Sequence, residues 1–286
     1  MRARLTAAQV AQAFRDACLA ELDALKPGNV HRFGDDPRMS VTDFETSARV
    51  AAAPLAQECA SVGARIRASV AATMSAVGHN TNLGIVLLCA PLATAALSDE
   101  AVELRQRLAK VLAGLTVEDA KEAYAAIRQA NPGGLGDVPR HGVDAEPAIT
   151  LLEAMKAAEG HDRIAWNYSH DFADIFDLGL PRIREAGTRG WPAPFATISV
   201  YLGFLATIRD TLIERKFGKA QALEVQAEAK ALTAKLNDSG DRGEVEQVLK
   251  DFDRSLKSRG LNPGTSADLT VATLFAASVQ ALELRG

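Results

Sequence analysis

A chain of 286 residues with a formal charge of −4 offers no basic surface for nucleic acid or an anionic membrane. Apolar residues make up 48% of it but aromatics only 5%, so the core has to be assembled from Ala, Leu and Val, which favours helices in close approach. The longest apolar run, residues 84–97, is too short to span a bilayer and contains Pro91, so a soluble protein is expected.

The first predicted helix starts at the capping box Thr6-Ala7-Ala8-Gln9 and ends before Pro27-Gly28. Its apolar seam is Phe14, Cys18 and Leu25, and Glu21 falls on the same seam, where a carboxylate has to be paired, metal-bound or protonated, unless the seam ends early and leaves it solvated. The following loop carries Lys26, Gly28, Asn29 and Arg32. Its cations suit a polyphosphate, although Lys and Arg after a helix also simply complement its dipole. Thr42-Asp43-Phe44-Glu45 reads as a second capping box, opening a helix to about Ser61, and Gly63 to Val77 forms the next.

That helix delivers the chain to Gly78-His79-Asn80-Thr81-Asn82-Leu83-Gly84, directly before the apolar run. A glycine-bracketed polar loop at a helix start leaves backbone N–H groups where the macrodipole favours negative charge. It reads as a phosphate cradle or, more plainly, as a capped turn feeding a core helix. Helices are expected over 99–113 and, capped by Thr116, to about Ala130. Asn131-Pro132-Gly133-Gly134-Leu135-Gly136-Asp137 then breaks all periodicity, as a ligand-bordering loop or a surface loop would.

Residues 147–158 and 161–178 read as helices, with His170, Asp171 and Asp174 a solvated face sooner than a metal site. Phe195 to Lys216 is expected to be one long helix, apolar nearly all round through Ile208 and therefore central in a bundle. On it, Asp210 falls near the C-terminal end, where the dipole disfavours a carboxylate and a cation, either Arg209, Arg215 or a metal ion, should lie close. Charged helices at 220–236 and 244–257 look peripheral. The last helix follows Asn262-Pro263-Gly264-Thr265-Ser266-Ala267-Asp268, with Asp268 on the seam of Ala272, Phe275 and Val279. Strand-type alternation is missing, so the expected fold is all-α, a single multi-helix bundle domain over 1–286.

Cys18, Cys59 and Cys89 are odd in number and widely spaced, and read as reduced core residues of a cytoplasmic protein. Four glycine-bearing junctions, at 26–29, 78–84, 133–137 and 263–268, stand out in an otherwise apolar helical chain, together with Glu21, Asp210 and Asp268. Backbone donors, point charges and one or two carboxylates for a hard cation are what a triphosphate with Mg²⁺ requires.

On Lys26-Pro27-Gly28 with Glu21, Phe44 and Ser47, Gly78 with Asn80-Thr81 and Gly84, Asp210-Thr211 with Arg215, and Asn262-Pro263-Gly264 with Ser266-Ala267-Asp268-Leu269, the sequence resembles the triphosphoribosyl-dephospho-CoA synthase family. The resemblance implies an all-helical Mg²⁺-dependent transferase of cofactor biosynthesis, moving the triphosphoribosyl group of ATP to a hydroxyl of dephospho-CoA with release of adenine. It implies Asp210 and Asp268 at Mg²⁺ or at C1′, with Glu21 as a third catalytic candidate. Lys26, Gly28, Asn29, Ser47, Gly78, His79, Asn80, Thr81, Asn82, Gly84, Gly134, Arg215, Gly264 and Ser266 would contact nucleotide.

The family's Asn-Thr-His-Lys-Gly reads Asn80-Thr81-Asn82-Leu83-Gly84 here. Its Arg-Gly-Gly is eroded to Arg215-Lys216-Phe217-Gly218, and its second glycine before Ser-Ala-Asp is Thr265. A different acceptor, such as a C1-carrier cofactor intermediate, a non-catalytic nucleotide-binding protein, and a water-using N-glycosidic hydrolase are the competing expectations, and a homodimer is left open.

Overall fold

The computed structural model describes residues 4–34, 39–132, 145–238 and 242–285. It is all-α, 74% helical, with 14 α-helices and no strand among the described residues. In chain order these are α1 Ala7–Leu22, α2 Val41–Leu55, α3 Val62–Val77, α4 Leu83–Ala96, α5 Leu104–Ala113, α6 Val117–Ala130, α7 Leu151–Ala158 and α8 Arg163–Ser169. A π-helical turn, Asp174–Gly179, leads into α9 Leu180–Thr188, followed by α10 Ala193–Thr207, α11 Thr211–Phe217, α12 Lys219–Asp238, α13 Arg242–Ser258 and α14 Gly264–Arg285.

The main core forms where α1 packs on α2 and α14, and α4 packs on α3, α5 and α14. Almost every side chain of α4 is buried, which explains its lack of a polar stripe. Phe14 of α1 meets Phe275 of α14 edge to face, with centroids 6.0 Å apart. A second apolar cluster joins Leu25, Tyr201, Leu202 and Leu205 to residues of α12 and α13. By length and composition α14 could cross a bilayer, but 56% of that stretch is buried inside the protein, as in a core helix. The Arg107–Glu283 ion pair, buried on both sides, ties its far end to α5.

Several boundaries differ from the sequence reading. The capping box of α2 is Ser40 with Asp43, not Thr42 with Glu45, and α2 stops at Leu55, one residue past Pro54. Cys59 therefore sits in the α2–α3 turn, exposed and at a positive φ of 57°, while Cys18 and Cys89 are buried as expected. The stretch 161–178 is no continuous helix: Asp171 and Phe172 adopt φ of 48° and 53°, which ends α8 before the π-turn.

The long helix expected over 195–216 breaks at Ile208, whose ψ of 135° is extended. Asp210 is consequently the N-cap of α11, its Oδ1 accepting from the amides of Leu212 (3.1 Å) and Ile213 (3.2 Å). The dipole argument is thereby reversed, because a carboxylate at a helix N-terminus is favoured.

Candidate active site

The loop after α1 folds back on itself around Lys26, which is fully buried. Its ammonium donates to Glu21 Oε1 at 2.5 Å, to the Val30 carbonyl at 2.5 Å and to Asn29 Oδ1 at 3.2 Å. An ammonium has three protons, and all are used inward, so Lys26 positions this loop instead of reaching a phosphate as the sequence suggests. Burial raises the Glu21 carboxyl and lowers the Lys26 ammonium, and each charge opposes the shift of the other.

Gly28, at a positive φ of 80°, donates its amide to Asp253 Oδ1 at 2.8 Å. A side chain there would lie 2.9 Å from Leu256 and Pro263. Asn29 donates to Asn262 Oδ1 at 2.7 Å, which joins this junction to the one before α14.

The 78–84 junction is built differently from a simple capped turn. Gly78, at φ 83°, closes α3 in the left-handed conformation. Asn80 Oδ1 accepts from the Leu83 amide at 3.0 Å, but Asn82, the N-cap residue of α4, makes no side-chain capping bond. It turns inward instead, donating to Thr73 Oγ1 at 3.0 Å. Thr81 and Ser47 share a hydroxyl–hydroxyl bond of 2.6 Å that fixes this loop to α2. Half-exposed His79 places Nε2 3.6 Å from Asp43 Oδ2. A cavity of about 10 Å³, the size of a single water, lies between Glu21, Ser47 and Asn82, with Cys18 and Phe44 in its wall.

Asp268, in the first turns of α14, crosses to α4. Its carboxylate fills the space a side chain at Gly84 would take, for a Cβ there would lie 2.6 Å from Asp268 Cγ. Asp268 is partly open to solvent and makes no hydrogen bond or ion pair with a described residue. Burial pushes its carboxyl well above the usual range; the like charges of Asp210, Glu21 and Asp162 push the same way, and Arg215 opposes them.

Asp210 lies behind it. In addition to its two helix amides, its Oδ2 accepts from Ser266 N (2.8 Å) and Ser266 Oγ (2.9 Å). Burial raises this carboxyl while those bonds and Arg215 hold it down. A carboxylate offers about four acceptor positions, so Asp210, expected as a metal ligand, is filled by protein donors. Thr265, where the family has glycine, bonds Thr211 Oγ1 at 3.1 Å. The Gly264 backbone packs so tightly that a Cβ would lie 2.5 Å from the Leu212 side chain. Arg215 donates to Asp162 Oδ2 at 2.5 Å, and its buried Nε has no partner among the described residues.

Three of the four junctions thus gather around Glu21, Asp210 and Asp268. The fourth, with Gly134, lies outside the described residues. Sequence reasoning missed Asp162 and Asp253. Asp162 caps α8 through Ile164 and Ala165 (2.8 and 3.3 Å), so an N-cap search would have found it. Asp253 pairs with Lys257 one turn along the same helix, an ordinary surface pattern, and only the fold brings it to Gly28 and His31.

A site of this kind combines an acid unpaired among the described residues, a helix N-terminus whose N-cap side chain is turned away, and a nearby arginine, which suits a phosphorylated substrate. A solved structure assigned as a triphosphoribosyl-dephospho-CoA synthase, from Archaeoglobus fulgidus, shares the fold with a TM-score of 0.65 and 24% identity, covering 81% of this chain and 96% of its own. The sequence profile of the ATP:dephospho-CoA triphosphoribosyl transferases matches residues 7–285. The chain therefore belongs to that family of transferases, whose reaction moves the triphosphoribosyl group of ATP to dephospho-CoA.

Proposed function

We propose that this chain performs the family reaction at the place where α4, α11 and α14 meet, releasing adenine from ATP as the acceptor hydroxyl takes C1′. The observation that carries the reading is Asp268, an acid without a hydrogen-bond partner among the described residues, held against Gly84 in the α4 N-terminal turn. Cleaving an N-glycosidic bond develops positive charge at C1′, as in glycoside hydrolysis. A carboxylate beside that carbon stabilises the charge, and the proton lost by the attacking hydroxyl is balanced by the one that the departing adenine gains.

The phosphates would be held by the amides at the start of α4, with Asn80, Thr81 and Ser47 shaping the loop and Arg215 supplying positive charge nearby. Among the described residues no group of three His, Cys, Asp or Glu side chains could hold a metal ion, so a Mg²⁺ ion would arrive with the triphosphate and meet one protein carboxylate here. Asp268 would hold it, and the ion would supply charge neutralisation for the triphosphate. Asp210 acts as a positioning residue, anchoring Ser266 and thereby the turn that carries Asp268.

Loss of the family His and Lys at positions 82 and 83 has a local reason. Asn82 is turned into the protein and Leu83 is buried, so neither position contributes to the phosphate side of this loop. The test is incubation with ATP, Mg²⁺ and dephospho-CoA, followed by mass spectrometry. Free adenine together with a conjugate of dephospho-CoA and triphosphoribose is expected. Free ribose triphosphate would indicate hydrolysis, and nucleotide binding without adenine release would end the reading.

A further inference from the structure

Beside the carboxylate site stands an ordered column of three planar groups that the transfer chemistry does not use. The Arg163 guanidinium lies 3.5 Å from the centre of the Trp166 ring. The His170 imidazole stacks on Trp166 with centroids 4.0 Å apart and planes 12° from parallel. The two outer layers of the column are braced. Arg163 forms a bidentate pair with buried Asp174, at 2.8 Å for both bonds. His170 Nδ1 is within 3.0 Å of Ser169 Oγ and 2.9 Å of the Trp166 carbonyl.

The residues after His170, Asp171 and Phe172, both have positive φ, a conformation costly for a bulky side chain and kept here by complete burial of Phe172. That turn leaves His170 exposed. The fold therefore holds a flat, solvent-facing aromatic layer at some conformational cost.

The column is also fixed to the site. Its helix begins with Asp162, the partner of Arg215, and the Arg163 amide donates to Thr211 Oγ1 at 3.2 Å. The His170 ring lies two stacking layers beyond the Arg163 guanidinium, at successive separations of 3.5 and 4.0 Å. Departing adenine has to lie over the carboxylates because it is attached at C1′, so the base of the second nucleotide needs a separate surface one nucleotide-length away.

We propose that the exposed face of His170, backed by Trp166 and Arg163, stacks the purine base of the acceptor nucleotide. This rests on the proposed transferase reading and adds to it a determinant of acceptor choice: an acceptor that keeps the ribose hydroxyl but lacks the base is bound more weakly than dephospho-CoA. Stacking on an aromatic platform needs no sequence of donors, only a π-face and nearby cation.

The chain has two tryptophans, so Trp191→Phe leaves Trp166 as the reporter. Dephospho-CoA titrated without ATP should change its fluorescence saturably, and the analogue that keeps the ribose hydroxyl but lacks the base should not. His170→Ala should raise the KM for dephospho-CoA roughly 5- to 150-fold, the range of stacking contributions, with the ATP KM altered less than about twofold. His170→Phe should restore it. Unchanged dephospho-CoA affinity in His170→Ala, or loss of stability without a change in affinity, would overturn the platform. Adenine release is scored separately: its absence in the wild-type protein refutes the transferase reading, whereas the fluorescence titration still decides the stacking.

Discussion

Lys26 and Glu21 form an ion pair whose side chains are 0% and 6% exposed, with 2.5 Å between charged atoms. Breaking such a buried pair from one side leaves an uncompensated charge and costs about 3–5 kcal/mol. Glu21→Gln strands the ammonium, which keeps only neutral partners in Asn29 Oδ1 and the Val30 carbonyl; Lys26→Met strands the carboxylate. At about 2–4 °C per kcal/mol for chains of this size class, each single change should lower Tm by roughly 6–20 °C. The double variant Glu21→Gln/Lys26→Met removes both charges at little change in volume and should recover more than half of the loss. Differential scanning calorimetry at pH 7 of the four proteins completes the cycle. Single variants within about 2 °C of wild type, or a double variant as unstable as the two losses added, would refute the coupling. Adenine release by the double variant then decides whether Glu21 has any chemical part: full activity would make it structural only.

Asp268→Asn should stabilise the substrate-free protein at pH 7–8. A carboxyl raised in the folded state costs stability above its unfolded pKa, increasingly as pH climbs through the folded value, so the gain should vanish below about pH 4. Thermal shift against pH reads this directly, and the same variant should lose both turnover and its thermal response to Mg²⁺–ATP. Gly84→Ala sets a methyl group where the Asp268 carboxylate lies and 2.8 Å from Ile164 Cδ1, so turnover should fall at least tenfold in a folded protein, measured as adenine release alongside circular dichroism. Asp210→Asn turns an acceptor into a donor opposite the amide or hydroxyl of Ser266. A stability loss on the order of 1–3 kcal/mol is expected by urea unfolding, with weaker nucleotide binding. Asp253→Ala removes the acceptor of the Gly28 amide and should lower Tm by a few degrees while leaving the KM for dephospho-CoA unchanged.

The all-helical fold and the gathering of the 26–29, 78–84 and 263–268 junctions were legible because polarity is expensive inside an Ala- and Leu-rich bundle, so isolated polar turns stand out. What those polar groups bond to was not legible. Lys26 looks the same in sequence whether it faces a phosphate or Glu21, and only the folded loop decides. Asp210 was misread for a related reason. The apolar pattern runs on through Ile208, and local periodicity contains nothing of Ser266, whose amide and hydroxyl 56 residues later complete the cap. The Asp171–Phe172 turn was invisible for want of glycine, since the burial of Phe172 holds it.

The interruption at Asp210 changes how this region of the molecule comes apart. One carboxylate caps α11 and holds the opening turn of α14, and Thr265 repeats the link through the Thr211 hydroxyl and the Leu212 amide. The two helix starts are therefore tied twice over, and the amides of Leu212, Ile213 and Ser266 should exchange with deuterium at a common rate.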